Sequence, residues 1–250
     1  MTIKFFGHLS LGIMAGLLLS ITVQAQNRAL ESIDRKDDWW VKRHAENVEK
    51  MNQGDIEFLL IGDSITHAWD NHRELYDKHF GEFKPINLGF SGDQTAHVLW
   101  RLDHLPLDKI TPKVAMLMIG TNNIGHAVGS NPAETAEGIV AIVKKLQRQY
   151  PRLQIIVLAV FPRDEQPDGN LRQRVNEINA ALPELLREEK NVELLDINAG
   201  FLDADGTLPK RIMDDFLHPG REGYEYWGNR IEPVIREKFR LYESNAEPAA

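Results

Sequence analysis

The chain has 250 residues, 42% hydrophobic and 26% charged, a globular composition that excludes a disordered, collagenous or polytopic membrane protein. Lys and Arg number 29 against 37 Asp and Glu, a formal net charge of −8; an acidic balance argues against a sequence-independent grip on phosphate backbones, so no nucleic-acid partner is expected. There is no cysteine, which removes disulfides, thiolate metal sites and cysteine nucleophiles.

Met1 to Ala25 carries one cation, Lys4, then an apolar run from Leu9 to Val23, then Val23-Gln24-Ala25 with small or short residues at the −3 and −1 positions. This is the pattern of a secretory signal peptide cleaved after Ala25. The apolar run of about 15 residues falls short of the roughly 20 that a spanning helix needs, and no cysteine follows for lipid attachment. The expectation is an exported protein, secreted or periplasmic, without a stable membrane anchor. Residues 26–250 would form a single domain with its core over about 38–242.

Asp37 to Gln53 reads as an amphipathic helix covering the start of that domain. Ile56 to Ile61 is nearly all apolar and runs into Gly62, as a strand buried on both faces would. A second strand is expected near Ile86, and the apolar pattern returns at Val114–Ile119, Ile155–Val160 and Val192–Ile197. Helices are expected over Thr95–Leu102, Ala133–Tyr150, Leu171–Lys190 and Glu222–Tyr242, with Glu243–Ala250 a frayed tail. In the Ala133–Tyr150 segment, Ile139, Val143, Leu146 and Tyr150 make one apolar stripe. Buried strands alternating with helices predict an α/β fold, a parallel sheet covered on both sides.

Ligands of such sheets bind at the carboxyl ends of the strands. The first strand runs into Gly62-Asp63-Ser64-Ile65-Thr66, the strand near Ile86 into Asn87-Leu88-Gly89-Phe90-Ser91-Gly92-Asp93, and the next into Gly120-Thr121-Asn122-Asn123. A fourth polar loop, Met213 to Gly220, precedes the last helix and can fold back over the same edge. Ser64 between strand and helix is placed as a nucleophile, but Gly-Asp-Ser is equally turn and N-cap chemistry. A nucleophilic serine needs an imidazole oriented by a carboxylate. Of nine histidines, His218 has a carboxylate three residues before it, Asp215, with Asp214 a weaker candidate; the pair could also be a locally bonded surface bend. Oxyanion donors would be the Ser64 and Gly92 N–H groups and the Asn122 amide, although Gly92 also suits a plain turn and Asn122 a plain cap.

Taken together in this order, Gly-Asp-Ser, the Gly92 loop, Gly-Thr-Asn-Asn and Asp-x-x-His resemble the four blocks of the SGNH (GDSL) hydrolase family. Within it the likeness is to the catalytic subunits of the intracellular platelet-activating factor acetylhydrolase, and runs from about Trp39 to Arg240. It includes His97-Val98-Leu99-Trp100-Arg101-Leu102 and Asp215-Phe216-Leu217-His218. The resemblance implies a flavodoxin-like three-layer α/β/α sandwich and a metal-free hydrolase of carboxylic esters. It makes Ser64 the nucleophile, His218 the base, Asp215 its orienter, and Gly92 with Asn122 oxyanion donors. Ser91 stands where the acetylhydrolase pattern has glycine, a departure expected to alter the acyl pocket.

The acetylhydrolase likeness and the expected export together suggest short-chain acetyl esters, O-acetyl groups on carbohydrate above all, with Trp69 or Trp227 as candidate sugar platforms. The alternative is a phospholipid or lysophospholipid esterase, which would want an apolar patch beside the site; a non-catalytic carbohydrate-binding protein is the remote one. A metal-dependent deacetylase is disfavoured, because His67 and His72 lack the spacing of ligands and His126 stands alone. No cofactor is expected, the partner is a small-molecule or polysaccharide ester, and a homodimer is left open.

Overall fold

Five apolar segments pair as strands: β1 (Phe58–Gly62), β2 (Pro85–Gly89), β3 (Val114–Met118), β4 (Gln154–Leu158) and β5 (Val192–Leu195). All pairs are parallel, in the order β2-β1-β3-β4-β5. In this computed structural model residues 27–126 and 129–245 are described. Met1–Ala25, on which the signal-peptide expectation falls, and residues 246–250 of the expected tail lie outside them.

Alternation along the strands divides the interior into two cores, as the period of two requires. Leu59, Ile61, Ile86, Leu88, Ala115, Leu117, Ile155 and Val157 face one side, where α4 (Thr95–His104), α6 (Pro132–Gln149) and α7 (Asn170–Leu186) cover them through Val98, Ile139, Val143, Leu146, Val175 and Ile178. Phe58, Leu60, Val114, Met116, Ile156 and Leu158 face the other, against α3 (Arg73–Phe80) and α8 (Arg221–Ser244). The three layers predicted from the strand pattern are therefore present. An N-terminal helix, α1 (Asp38–Asn52), buries Trp40 and Met51, and two short helices, α2 (Ser64–His67) and α5 (Thr121–Gly125), were not legible as periodic segments.

Some expected elements end early, among them α7 at Leu186 rather than Lys190. The last strand ends at Leu195 rather than Ile197, because the Asp196 side chain accepts the Asn198 N–H at 2.8 Å and turns the chain into a 3₁₀ helix over Asn198–Phe201. α6 ends at Gln149; Tyr150 is its half-buried C-cap, still packs against the core that Ile139, Val143 and Leu146 enter, and gives its hydroxyl to the Leu107 carbonyl.

Strand order reverses at β1, which β2 and β3 flank on opposite sides. The crevice at such a switch point is where open α/β sheets bind ligands. Ser64, Gly92 and Asn122 follow the carboxyl ends of β1, β2 and β3.

Candidate active site

Asp63 caps α2, its Oδ1 accepting the Ile65 N–H at 3.0 Å. The N-cap reading of Gly-Asp-Ser is thus correct as far as it goes, and it also makes Ser64 the first residue of a helix, where N–H groups have no helical carbonyl to bond. The close approach of this turn to β2 needs glycine: a Cβ on Gly89 would lie 2.2 Å from the His67 nitrogen.

The structure brings together residues 154 positions apart. Ser64 Oγ lies 2.9 Å from His218 Nε2, and His218 Nδ1 lies 2.7 Å from Asp215 Oδ2. Asp215 also takes the Leu217 and His218 N–H groups on Oδ1 at 3.0 and 2.8 Å, so one carboxylate shapes the bend and orients the ring. The bend holds Phe216 at φ +56°, a left-handed conformation costing a non-glycine residue about 1–3 kcal/mol. Partial burial pushes the Asp215 carboxyl up, but its bonds to the His218 ring and backbone outweigh this and hold it below the usual carboxylate range. With Nδ1–H directed at Asp215, Nε2 is free to accept the serine proton. Asp215, not Asp214, is the carboxylate on His218.

On the opposite wall, Gly92 sits at φ +77°, where glycine is at ease. The Asn122 amide donates to the Asp93 carbonyl at 3.1 Å; that occupies one of its two hydrogens and leaves the other for a ligand. The purely structural asparagine is its neighbour Asn123, buried and bonded to the Thr95 N–H and hydroxyl at 3.0 and 2.9 Å. Ser64, Gly92 and Asn122 thus stand beyond the carboxyl ends of three neighbouring strands.

Buried charge anchors that wall. Asp93 is fully buried, receiving Trp40 Nε1 at 2.8 Å and Arg101 Nε at 2.8 Å. Arg101 is spent further on the carbonyls of Leu88 and Gly62 at 3.1 and 3.4 Å. Burial pushes the neighbouring Asp63 carboxyl up to about 7, with the Asp93 charge adding to the effect; its Oδ2 has no partner among the described residues. Ser91, the departure from the acetylhydrolase pattern, places its hydroxyl 3.0 Å from His67 Nδ1.

Several residues near the site were not expected there from the sequence. His67 is one turn beyond Ser64, and Trp39 stacks on it with ring centroids 6.1 Å apart. Arg35 reaches the Ser91 carbonyl at 2.7 Å. Arg163, just past β4, holds Thr121 through its carbonyl and hydroxyl, both at 3.1 Å; its place beyond a strand end was the available signal. The sugar-platform expectation for Trp69 and Trp227 is corrected. Both are fully buried, 5.1 Å apart, with Trp69 also edge-on to Tyr224 and Phe80 at 4.8 Å; they fill the α3/α8 core. The exposed tryptophan is Trp39. Among the described residues no group of three His, Asp or Glu side chains could hold a metal, and no helix is long and apolar enough to cross a membrane.

Comparison with known proteins agrees with this geometry. The profile of the GDSL-like lipase/acylhydrolase family matches residues 60–226. The platelet-activating factor acetylhydrolase IB subunit alpha2 of Gallus gallus is 38% identical over 182 residues, covering 73% of this chain and 77% of that one. The Homo sapiens subunit is 37% identical over 188 residues, covering 75% and 80%. The solved structure of an acetyl xylan esterase, 18% identical, superposes with a TM-score of 0.61 over 72% of this chain and 100% of that chain, a likeness of fold. These findings also correct the expected location: the curated relatives are subunits of the intracellular acetylhydrolase, which points away from a secreted or periplasmic protein.

Proposed function

We propose a serine-based acetylesterase mechanism for this chain, which belongs to the GDSL-like lipase/acylhydrolase family and is a carboxylic ester hydrolase. The observation that carries the reading is the relay of Ser64 Oγ, His218 and Asp215 at 2.9 and 2.7 Å. Ser64 Oγ attacks the ester carbonyl while His218 Nε2 takes its proton. The negative oxygen rests on the Ser64 and Gly92 N–H groups and the Asn122 amide. Collapse expels the alcohol, which receives the proton from His218 and leaves Ser64 acylated. A water then gives its proton to His218, attacks the acyl group and releases the acid, and the proton returns to Ser64.

The acyl group is acetyl in this reading, supported by relatives named as acetylhydrolases. The alcohol part is polar, an O-acetylated carbohydrate. Arg35, Arg43, His67, Asp70 and Ser91 cluster on the β2 side of the crevice, and among the described residues the exposed large hydrophobics Leu30, Trp39, Val41, Leu185 and Leu241 form no broad apolar face there. The names of the relatives favour a second reading, a platelet-activating-factor-like ester.

Hydrolysis of p-nitrophenyl acetate, butyrate and octanoate beside Ser64→Ala tests nucleophile and acyl pocket at once. Acetate preference that disappears in the variant is expected, and octanoate preference refutes the acetyl reading. Acetylated xylo-oligosaccharide against an acetylated ether phospholipid then separates the two alcohols.

A further inference from the structure

Arg35 precedes α1 and lies outside residues 60–226 matched by the family profile. Its side chain is four-fifths covered, at 20% exposure. Nη1 donates to the Ser91 carbonyl at 2.7 Å and approaches Asp93 Oδ1 at 3.4 Å. Nε and Nη2 both sit 3.0 Å from Asp37 Oδ2, and the guanidinium lies over the Trp39 ring, 5.3 Å from its centroid. A Cβ on Gly92 would come within 3.1 Å of Nη1, so the cation lies directly against this glycine.

The Ser91 carbonyl and the Gly92 N–H belong to one planar peptide group, with the two bonds pointing in opposite directions. A cation bonded to the carbonyl draws electron density through the C–N bond, strengthens the N–H as a donor and holds the plane in one orientation. Asp93 needs no help from Arg35 for its own charge, since Arg101 and Trp40 already bind it at 2.8 Å. The short bond of Arg35 is to the Ser91 carbonyl, and the Asp37 fork and Trp39 face aim the guanidinium there.

We propose that Arg35 is a positioning residue for the reaction: it fixes and polarises the Ser91–Gly92 peptide so that the Gly92 N–H meets the developing oxyanion at full strength. The inference rests on the reading of Gly92 as an oxyanion donor in a serine esterase. Because it acts through a peptide and not on the substrate, its contribution falls on kcat with little change in KM.

The test compares wild type, Arg35→Ala, Arg35→Lys and Asp37→Asn on p-nitrophenyl acetate, with thermal melts alongside. Arg35→Ala is expected to lower kcat about tenfold, less than the 100- to 1,000-fold lost with a whole donor. Millimolar guanidinium should restore part of the loss in Arg35→Ala and leave wild type unchanged, and Arg35→Lys should keep most of the rate through one donor to the Ser91 carbonyl. If Arg35→Ala melts too early to assay, Asp37→Asn, which frees the guanidinium from its fork without disturbing the core, should still lower kcat at constant KM. A folded Arg35→Ala with wild-type kcat overturns the proposal. So does a change confined to KM, or a kcat loss that neither lysine nor guanidinium repairs. Wild type inactive on every ester would refute the esterase reading itself, a result distinct from an active wild type matched by Arg35→Ala.

Discussion

The two walls of the candidate site are held by opposite means. The Gly92 loop is tied into the interior: the Asp93 carboxylate has no exposed surface, and its partner Arg101 is 1% exposed. The His218 loop is held more lightly: the Phe216 carbonyl accepts the Asp164 N–H at 3.1 Å, but His218 is at 39% and Asp215 at 55% side-chain exposure, and all the Asp215 bonds stay within three residues. In the proposed reaction this division suits the parts. Oxyanion donors gain from being rigid and cut off from water, whereas a base that passes protons to an alcohol and takes them from water has to stay accessible. Stability and activity should therefore separate between the walls.

The largest effect expected is on the exposed wall. His218→Ala should lower kcat on the order of 100,000-fold, since loss of one member of a triad removes most of what the triad does. Its melting temperature should stay near wild type; a large fall would show that the His218 ring itself helps to hold the fold. Asp93→Asn should do the reverse, destabilising by about 3–5 kcal/mol in urea unfolding because the Arg101 guanidinium stays buried without its counter-charge. A loss below 1 kcal/mol would erase the contrast between the walls. Next comes Asn122→Ala, expected to lower kcat on the order of 100- to 1,000-fold with little change in stability; wild-type activity would remove Asn122 from the oxyanion set.

A further effect sharpens the comparison through pH. Asp63 is raised in the folded protein to about 7 from an ordinary 3.8, so the native state binds the extra proton between those values. Its contribution to stability is full below about pH 3.8 and is lost as pH rises through about 7. Melting curves across that interval should therefore fall for wild type relative to Asp63→Asn, which keeps the cap but cannot ionise. Parallel curves would show that the buried carboxyl is not protonated.

Much of the architecture was legible because parallel strands are buried on both faces and write themselves as unbroken apolar runs. Phe58–Gly62 and Val114–Met118 stand out for that reason, and polar residues at their ends mark the crevice. The helix at Ser64 was expected from its place after a strand and not from periodicity, and that at Thr121 was not visible; each is a single turn, too brief for a period of 3.6 to show. The fate of the tryptophans was equally hidden. Trp39 and Trp40 are adjacent, yet one is exposed and the other buried on Asp93, while Trp69 and Trp227 pack on each other from 158 residues apart. An aromatic residue reports that it wants cover, not which element provides it.

By itself, then, the sequence determined the α/β class and the order in which Ser64, Gly92, Asn122, Asp215 and His218 come off the sheet, since local apolar runs and turn residues encode burial and chain reversal directly. Only the tertiary structure decided which side chains complete the walls: Arg35 on the carbonyl of Ser91, His67 on its hydroxyl, and Arg101 under Asp93. Those contacts depend on how α1, α2 and α4 pack across the strand ends, and no periodicity within a single segment records the identity of a neighbour supplied by another.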